Sequence, residues 1–151
     1  MFKNIVVAHD GTDCSDRAFD YAIGLAKTSG AHVTVCHVTD IASAIPVVAM
    51  PAATYPGPLC QVLYDEAASI AQHVRSRAEQ AGVLVTIRDV EGRPPHAILE
   101  VAKDAGADLV VVGTHGRHGF ESILAPSVAQ RVARGIHVPL LIVPTDSPAF
   151  E

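Results

Sequence analysis

Aromatic residues are scarce in this chain, at 5%, and tryptophan is missing. A core made from it must therefore come from Val, Ile, Leu and Ala, within a hydrophobic share of 49%. Such side chains suit a parallel sheet buried on both faces. Cysteine is sparse too. Cys14, Cys36 and Cys60 are odd in number, widely spaced and without a C-x-x-C pair, which speaks against a zinc knuckle or a disulfide framework. A reducing cytoplasm is the expected compartment. Blocks of like charge are lacking and the formal net charge is −5, which disfavours nucleic acid and anionic membrane as partners. No apolar run approaches membrane-spanning length. The opening MFKNIVVAHD lacks the apolar stretch and small-residue cleavage site of a signal peptide.

What is present is an alternation of strand and helix patterns. At 151 residues, one domain spanning 1–151 is expected. Asn4 to His9 reads as a buried strand ended by Asp10-Gly11. Ala18, Tyr21, Ala22, Leu25 and Ala26 then recur at helical spacing, with Ser15 or Thr12 as cap and Gly30 as the stop. His32 to Val38 is the second strand. Thr39 to Leu59 holds four of the ten prolines and reads as a long loop, a length usually tied to function or mobility. A helix is predicted over Cys60–Ala81, a third strand over Val83–Val90, and a helix over Pro95–Asp104. Leu109 to Val112 is fully apolar and hence central. A helix from about Ser127 to Arg134 and a fifth strand over Pro139–Pro144 complete the pattern, with TDSPAFE as a frayed tail. This order predicts an α/β fold, a Rossmann-like, doubly wound, five-stranded parallel sheet of order 3-2-1-4-5.

Ligands of such sheets bind beyond the strand carboxyl ends, where strand order reverses. There the first strand ends in Asp10-Gly11, the second in Thr39-Asp40, and the fourth in Gly113-Thr114-His115-Gly116-Arg117. A carboxylate facing a nest of N–H groups suits a nucleotide, with Asp10 for a hydroxyl, adenine edge or cation and the glycine loop for phosphates. The loop has neither the G-x-x-x-x-G-K-[ST] spacing nor G-x-G-x-x-G. Gly113 and Gly116 read equally well as a tight turn, and Asp10 as a helix or turn cap. Arg117 is a candidate phosphate clamp or a plain exposed arginine. His9, His37, His115 and His118 lie near the mouth, but no H-x3-H pair supports a metal site. No nucleophile elbow or convincing carboxylate pair appears, so an enzyme is not expected. Cys14 reads as a buried, inert thiol.

The remaining pattern, G-x2-G-x9 followed by a small residue and Ser, resembles the signature of the universal stress protein family. Gly113, Gly116 and Ser127 match it, and Pro126 stands where the signature has glycine. Four further blocks are similar in order: NIVVAHDGTDCSDRAFDYAIGLA, VTVCHVTD, AILEVAKDAGADLVVVGTHGRHG and VAQRVARGIHVPLLIVP. The resemblance implies an adenine-nucleotide site, since some members bind ATP or related nucleotides. Residues matching Asp10 and Val38 contact the nucleoside. Those matching Gly113, Gly116, Ser127 and Val128 hold ribose and phosphates. Magnesium could accompany the nucleotide at Asp10 and Asp40, permitting slow ATP hydrolysis. The resemblance also implies a homodimer through the last strand, here about Pro139–Val143. Its occupancy would be reported to a signalling partner by the Thr39–Leu59 loop.

Proline at 126 offers no N–H to a phosphate oxygen. Loss of one backbone donor to a charged group costs about 1.5–3 kcal/mol, so weakened rather than abolished binding is expected. The rival from another class is a nucleotide-independent dimeric interaction module on the same fold.

Overall fold

The computed structural model describes residues 1–44, 57–114 and 127–150. Five strands form one parallel sheet: β1 (Asn4–Ala8), β2 (His32–Thr39), β3 (Val85–Glu91), β4 (Leu109–Gly113) and β5 (Leu140–Val143). Their order is β3-β2-β1-β4-β5, as the alternating pattern predicts. The helices are α1 (Asp13–Ser29), α2 (Ile41–Ala44), α3 (Gly57–Ala81), α4 (Pro94–Asp104) and α5 (Val128–Gly135). None of the described helices is long and apolar enough to cross a membrane.

Strand side chains alternate between faces, so a continuous apolar run fills two cores at once. Ile5 and Val7 of β1 join Val33, Val35 and Val111 on the face covered by α1 and α3, where Phe19, Ala22, Ile70 and Val74 pack. Val6, Cys36, Val110 and Val112 point to the other face, against Ile98, Val101 and Val132 of α4 and α5. The rare aromatic side chain is well used. Phe19 is fully buried, which contributes about 2–3 kcal/mol over leaving it exposed.

Several boundaries differ from the sequence expectation, each for a local reason. α3 begins at Gly57 rather than Cys60, because Pro58 suits a first turn, where its missing N–H has no helical partner. The expected Thr39–Leu59 loop is correspondingly shorter. α2 and the start of α3 occupy its two ends, and the remaining residues, 45–56, lie outside the described residues. β3 starts at Val85 rather than Val83, since the Val83 N–H bonds back to Ala78 O at 3.0 Å and closes α3. It runs on to Glu91, which pairs with Thr39. α4 starts one residue earlier, at Pro94, with both prolines in its first turn.

The carboxyl-terminal segment is not frayed through residue 150. Tyr21 Oη donates to Pro148 O at 3.1 Å, and its ring meets Phe150 edge-on at 5.2 Å. Phe150 lies over Gly24, where any Cβ would overlap its ring. A glycine that weakens the middle of α1 thus provides the seat for the last aromatic residue. In Gly24→Ala, α1 should gain about 1 kcal/mol of helix propensity while the tail loses its seat. Limited proteolysis is expected to clip residues beyond Pro144 much faster, with the urea midpoint nearly unchanged because the lost tail contacts offset the helix gain. Equal protection of the tail in both proteins would contradict this packing.

Candidate functional site

β1 connects to β2 on one side and its other neighbour is β4, so the strand order reverses between β1 and β4. A ligand crevice is expected at their carboxyl ends. Asp10 stands there, just past β1. Its Oδ1 accepts the Thr12 N–H at 3.1 Å and the Thr12 hydroxyl at 2.6 Å. An aspartate bonded to the N–H two residues on is a preferred turn geometry. Thr12, not Asp10 or Ser15, is the cap of α1, accepting the Ser15 N–H at 3.3 Å. The threonine hydroxyl therefore links the carboxylate to the helix, and the carboxylate is oriented by the turn.

Across the crevice, Gly113 ends β4 beside the first turn of α1. A Cβ there would stand 2.6 Å from Cys14 Sγ and 3.1 Å from Cys14 O, so no larger residue fits without a shift. Gly113 is thus explained by close approach, not by turning. The Thr114 N–H bonds to Val143 O at 3.0 Å and adds one more link to β5. Cys14 is buried as the sequence suggests, its Sγ 3.6 Å from Val143 O. His115, Gly116, Arg117, His118 and Pro126 lie outside the described residues.

At the far end of the signature, Ser127 caps α5. Its Oγ accepts the Gln130 N–H at 3.2 Å, and Gln130 Oε1 accepts the Ser127 N–H at 3.2 Å. This reciprocal capping box occupies the backbone amide of Ser127, a residue that the family resemblance implies in holding ribose and phosphates. An anion must displace a neutral carboxamide to reach it. Val128 is half-buried against the α4–α5 core.

Val38 is also half-buried on that face, paired with Val90. Asp40 is engaged locally, since Ser43 donates its N–H to Oδ1 at 3.0 Å and its hydroxyl to Oδ2 at 2.6 Å. It lines an open cavity of about 290 Å³ with Thr39, Ile41, Glu91 and Arg93, on the β2–β3 side of the mouth. Nearby, Asp89 Oδ1 meets both His37 Nδ1 at 2.9 Å and the Thr39 hydroxyl at 3.1 Å. His37 and His9 thus serve separate carboxylates, and no group of metal ligands forms among the described residues. Burial pushes the Cys36 thiol up to about 12, which makes it inert.

A charge cluster beneath the Asp10 turn was not foreseen. His9 Nε2 lies 2.9 Å from Asp16 Oδ1, which also meets His73 Nε2 at 3.0 Å and Arg77 Nη1 at 3.1 Å. Arg77 also pairs with Asp20 and lies over the Phe19 ring. One signal was available: Asp16 and Asp20 share a face of α1, as His73 and Arg77 share a face of α3.

Similarity to known proteins agrees with this architecture. The model of the universal stress protein family matches residues 1–144. The chain is 37% identical over 143 residues to Universal stress protein MJ0531 of Methanocaldococcus jannaschii, covering 95% of this chain and 82% of that one. It is similar to a solved universal stress protein in complex with cAMP, at 30% identity and a TM-score of 0.74, covering 96% and 99% of the two chains. The fold also matches the universal stress protein from Archaeoglobus fulgidus in complex with dAMP, at 22% identity and a TM-score of 0.64, covering 93% and 97%.

The cluster sets two acid-sensitive windows. Burial holds the His9 imidazole below its ordinary 6.5, against the pull of Asp16. The unfolded chain then binds that proton more readily, so stability falls as the pH drops below 6.5 and through the lowered folded value. For Asp16, burial acts upward, but hydrogen bonds from His9 and His73 outweigh it and hold the carboxyl below 3.8. Its stabilisation is present above 3.8 and lost as the pH falls through the lowered value. The urea midpoint, followed against pH, is expected to drop in both windows. In His9→Asn the upper drop should shrink; an unchanged upper drop would assign it to another histidine.

Proposed function

The chain belongs to the universal stress protein family, and from that premise we propose that it binds an adenine nucleotide in the crevice between β1 and β4. The observation that carries this reading is the Asp10 carboxylate, oriented by Thr12 at the point where strand order reverses, opposite Gly113. The complexes of related proteins with cAMP and dAMP support the ligand class. In this reading Asp10 and Val38 take the nucleoside. Gly113, Gly116, Arg117, Ser127 and Val128 take ribose and phosphate, and ATP brings magnesium to Asp10. Asp40, engaged by Ser43, is the poorer second ligand. Binding signals stress to a partner protein in the cytoplasm; hydrolysis is slow at most.

Affinity is reduced at the phosphate end for two separate reasons. Pro126 has no N–H to give. The Ser127 N–H is already held by Gln130. Calorimetric titration with AMP, cAMP and ATP tests the reading. Asp10→Ala should weaken AMP about ten- to hundred-fold, the worth of a hydrogen bond to a charged group. Pro126→Gly and Gln130→Ala should each tighten ATP several-fold. Wild-type binding no tighter than millimolar would reject the reading.

The same capping box also favours the rival reading, a dimeric interaction module that needs no nucleotide. Both readings use β5. It is an edge strand with Ile142 41% exposed, and apolar edges invite pairing. Pro139 and Pro144 confine such pairing to the short stretch between them. Sedimentation should find a homodimer, and Ile142→Asp should yield monomers; a monomeric wild-type protein would exclude pairing through β5.

A further inference from the structure

We infer that His9 is a positioning residue for the nucleotide site, its imidazole clamping the turn that carries Asp10 to the charge cluster between α1 and α3. This rests on the nucleotide reading and adds to it the device that orients the carboxylate. The Gly11 N–H points at His9 Nδ1, 3.2 Å away. A nitrogen that accepts carries no proton, so the proton sits on Nε2 and is donated to Asp16 Oδ1 at 2.9 Å. The ring is thus used at both nitrogens, and each bond fixes the other by setting the tautomer.

The ring is held on several sides. His9 is 2% exposed, so its two nitrogens must find their partners within the protein. Its backbone N–H bonds to Cys36 O at 2.9 Å, and its ring packs edge-on to Phe19 at 6.1 Å. Asp16 is itself held by His73 and Arg77 from α3. Above the ring, Gly11 turns the chain at φ 83° and Thr12 completes the grip on Asp10. A path of hydrogen bonds therefore runs from α3 through Asp16 and His9 to the turn that presents the carboxylate.

Two variants separate this role from simple packing. His9→Phe keeps the ring against Phe19 and removes the acceptor. His9→Asn cannot reach Asp16, but its carboxamide oxygen can accept the N–H two residues on, as asparagine does in turns. AMP affinity, measured by calorimetry, is expected to fall about tenfold in His9→Phe. His9→Asn should recover part of it, to within about threefold of wild type, because it restores the turn bond but not the link to Asp16. Equal losses in both variants would overturn the clamp. Nitrogen-detected NMR of the wild-type ring should show Nε2 protonated and Nδ1 bare. The Gly11 amide resonance should shift in His9→Phe and return toward its wild-type position in His9→Asn. The opposite tautomer, or a Gly11 amide indifferent to both changes, would also overturn it. Should His9→Phe fail to fold, the wild-type ring spectrum and His9→Asn decide. Should AMP not bind at all, the nucleotide reading fails, while the tautomer and the Gly11 amide still decide whether His9 holds the turn.

Discussion

The first turn of α1 lies so close to the end of β4 that position 113 has no room for a side chain. The space a Cβ would need is taken by the sulfur and carbonyl of Cys14. This approach draws together pieces of chain that are remote in sequence. The amino end of α1, the carboxyl ends of β1 and β4, and through Val143 the edge strand β5 all meet at one mouth. A helix amino terminus favours anions. The Asp10 turn sets an oriented carboxylate next to this helix amino end. The chemistry proposed for the site rests on the Asp10 carboxylate, and that geometry gives it its place.

Beneath the mouth a half-exposed charge cluster reaches in to a buried histidine. Asp16 is surrounded by His9, His73 and Arg77, and Arg77 covers the Phe19 ring. Burying ionisable groups is costly unless each finds a partner. Here they do, and no buried side-chain nitrogen or oxygen among the described residues lacks one. The aliphatic core supplies most of the stability. The polar cluster supplies orientation, tying α1 and α3 to the turn above them.

Much of this was legible in the sequence. The unbroken apolar runs of β1 and β4 mark central strands because both faces are covered, and the strand–helix alternation leaves few topologies. Asp10 and Gly113 were placed at the mouth because they follow those strands. What escaped were contacts between distant residues. Nothing local to TDSPAFE shows that Phe150 will find a notch at Gly24. Nothing near Val83 shows that its N–H will turn back to close α3. Asp16, His73 and Arg77 reveal their spacing in sequence but not that their helices pack face to face. At Ser127 the helix start was foreseen, but not the capping box whose reciprocal bond to Gln130 covers its amide.

The central claim is where the nucleotide sits, and amide NMR of the isotope-labelled protein titrated with AMP tests it most directly. Resonance changes centred on Gly11, Thr12, Gly113, Thr114 and Val128 are expected, with the Ser127 amide moving as it exchanges Gln130 for phosphate. Changes confined instead to the Asp40–Arg93 cavity on the β2–β3 side, or none at saturating AMP, would contradict binding in the β1–β4 crevice.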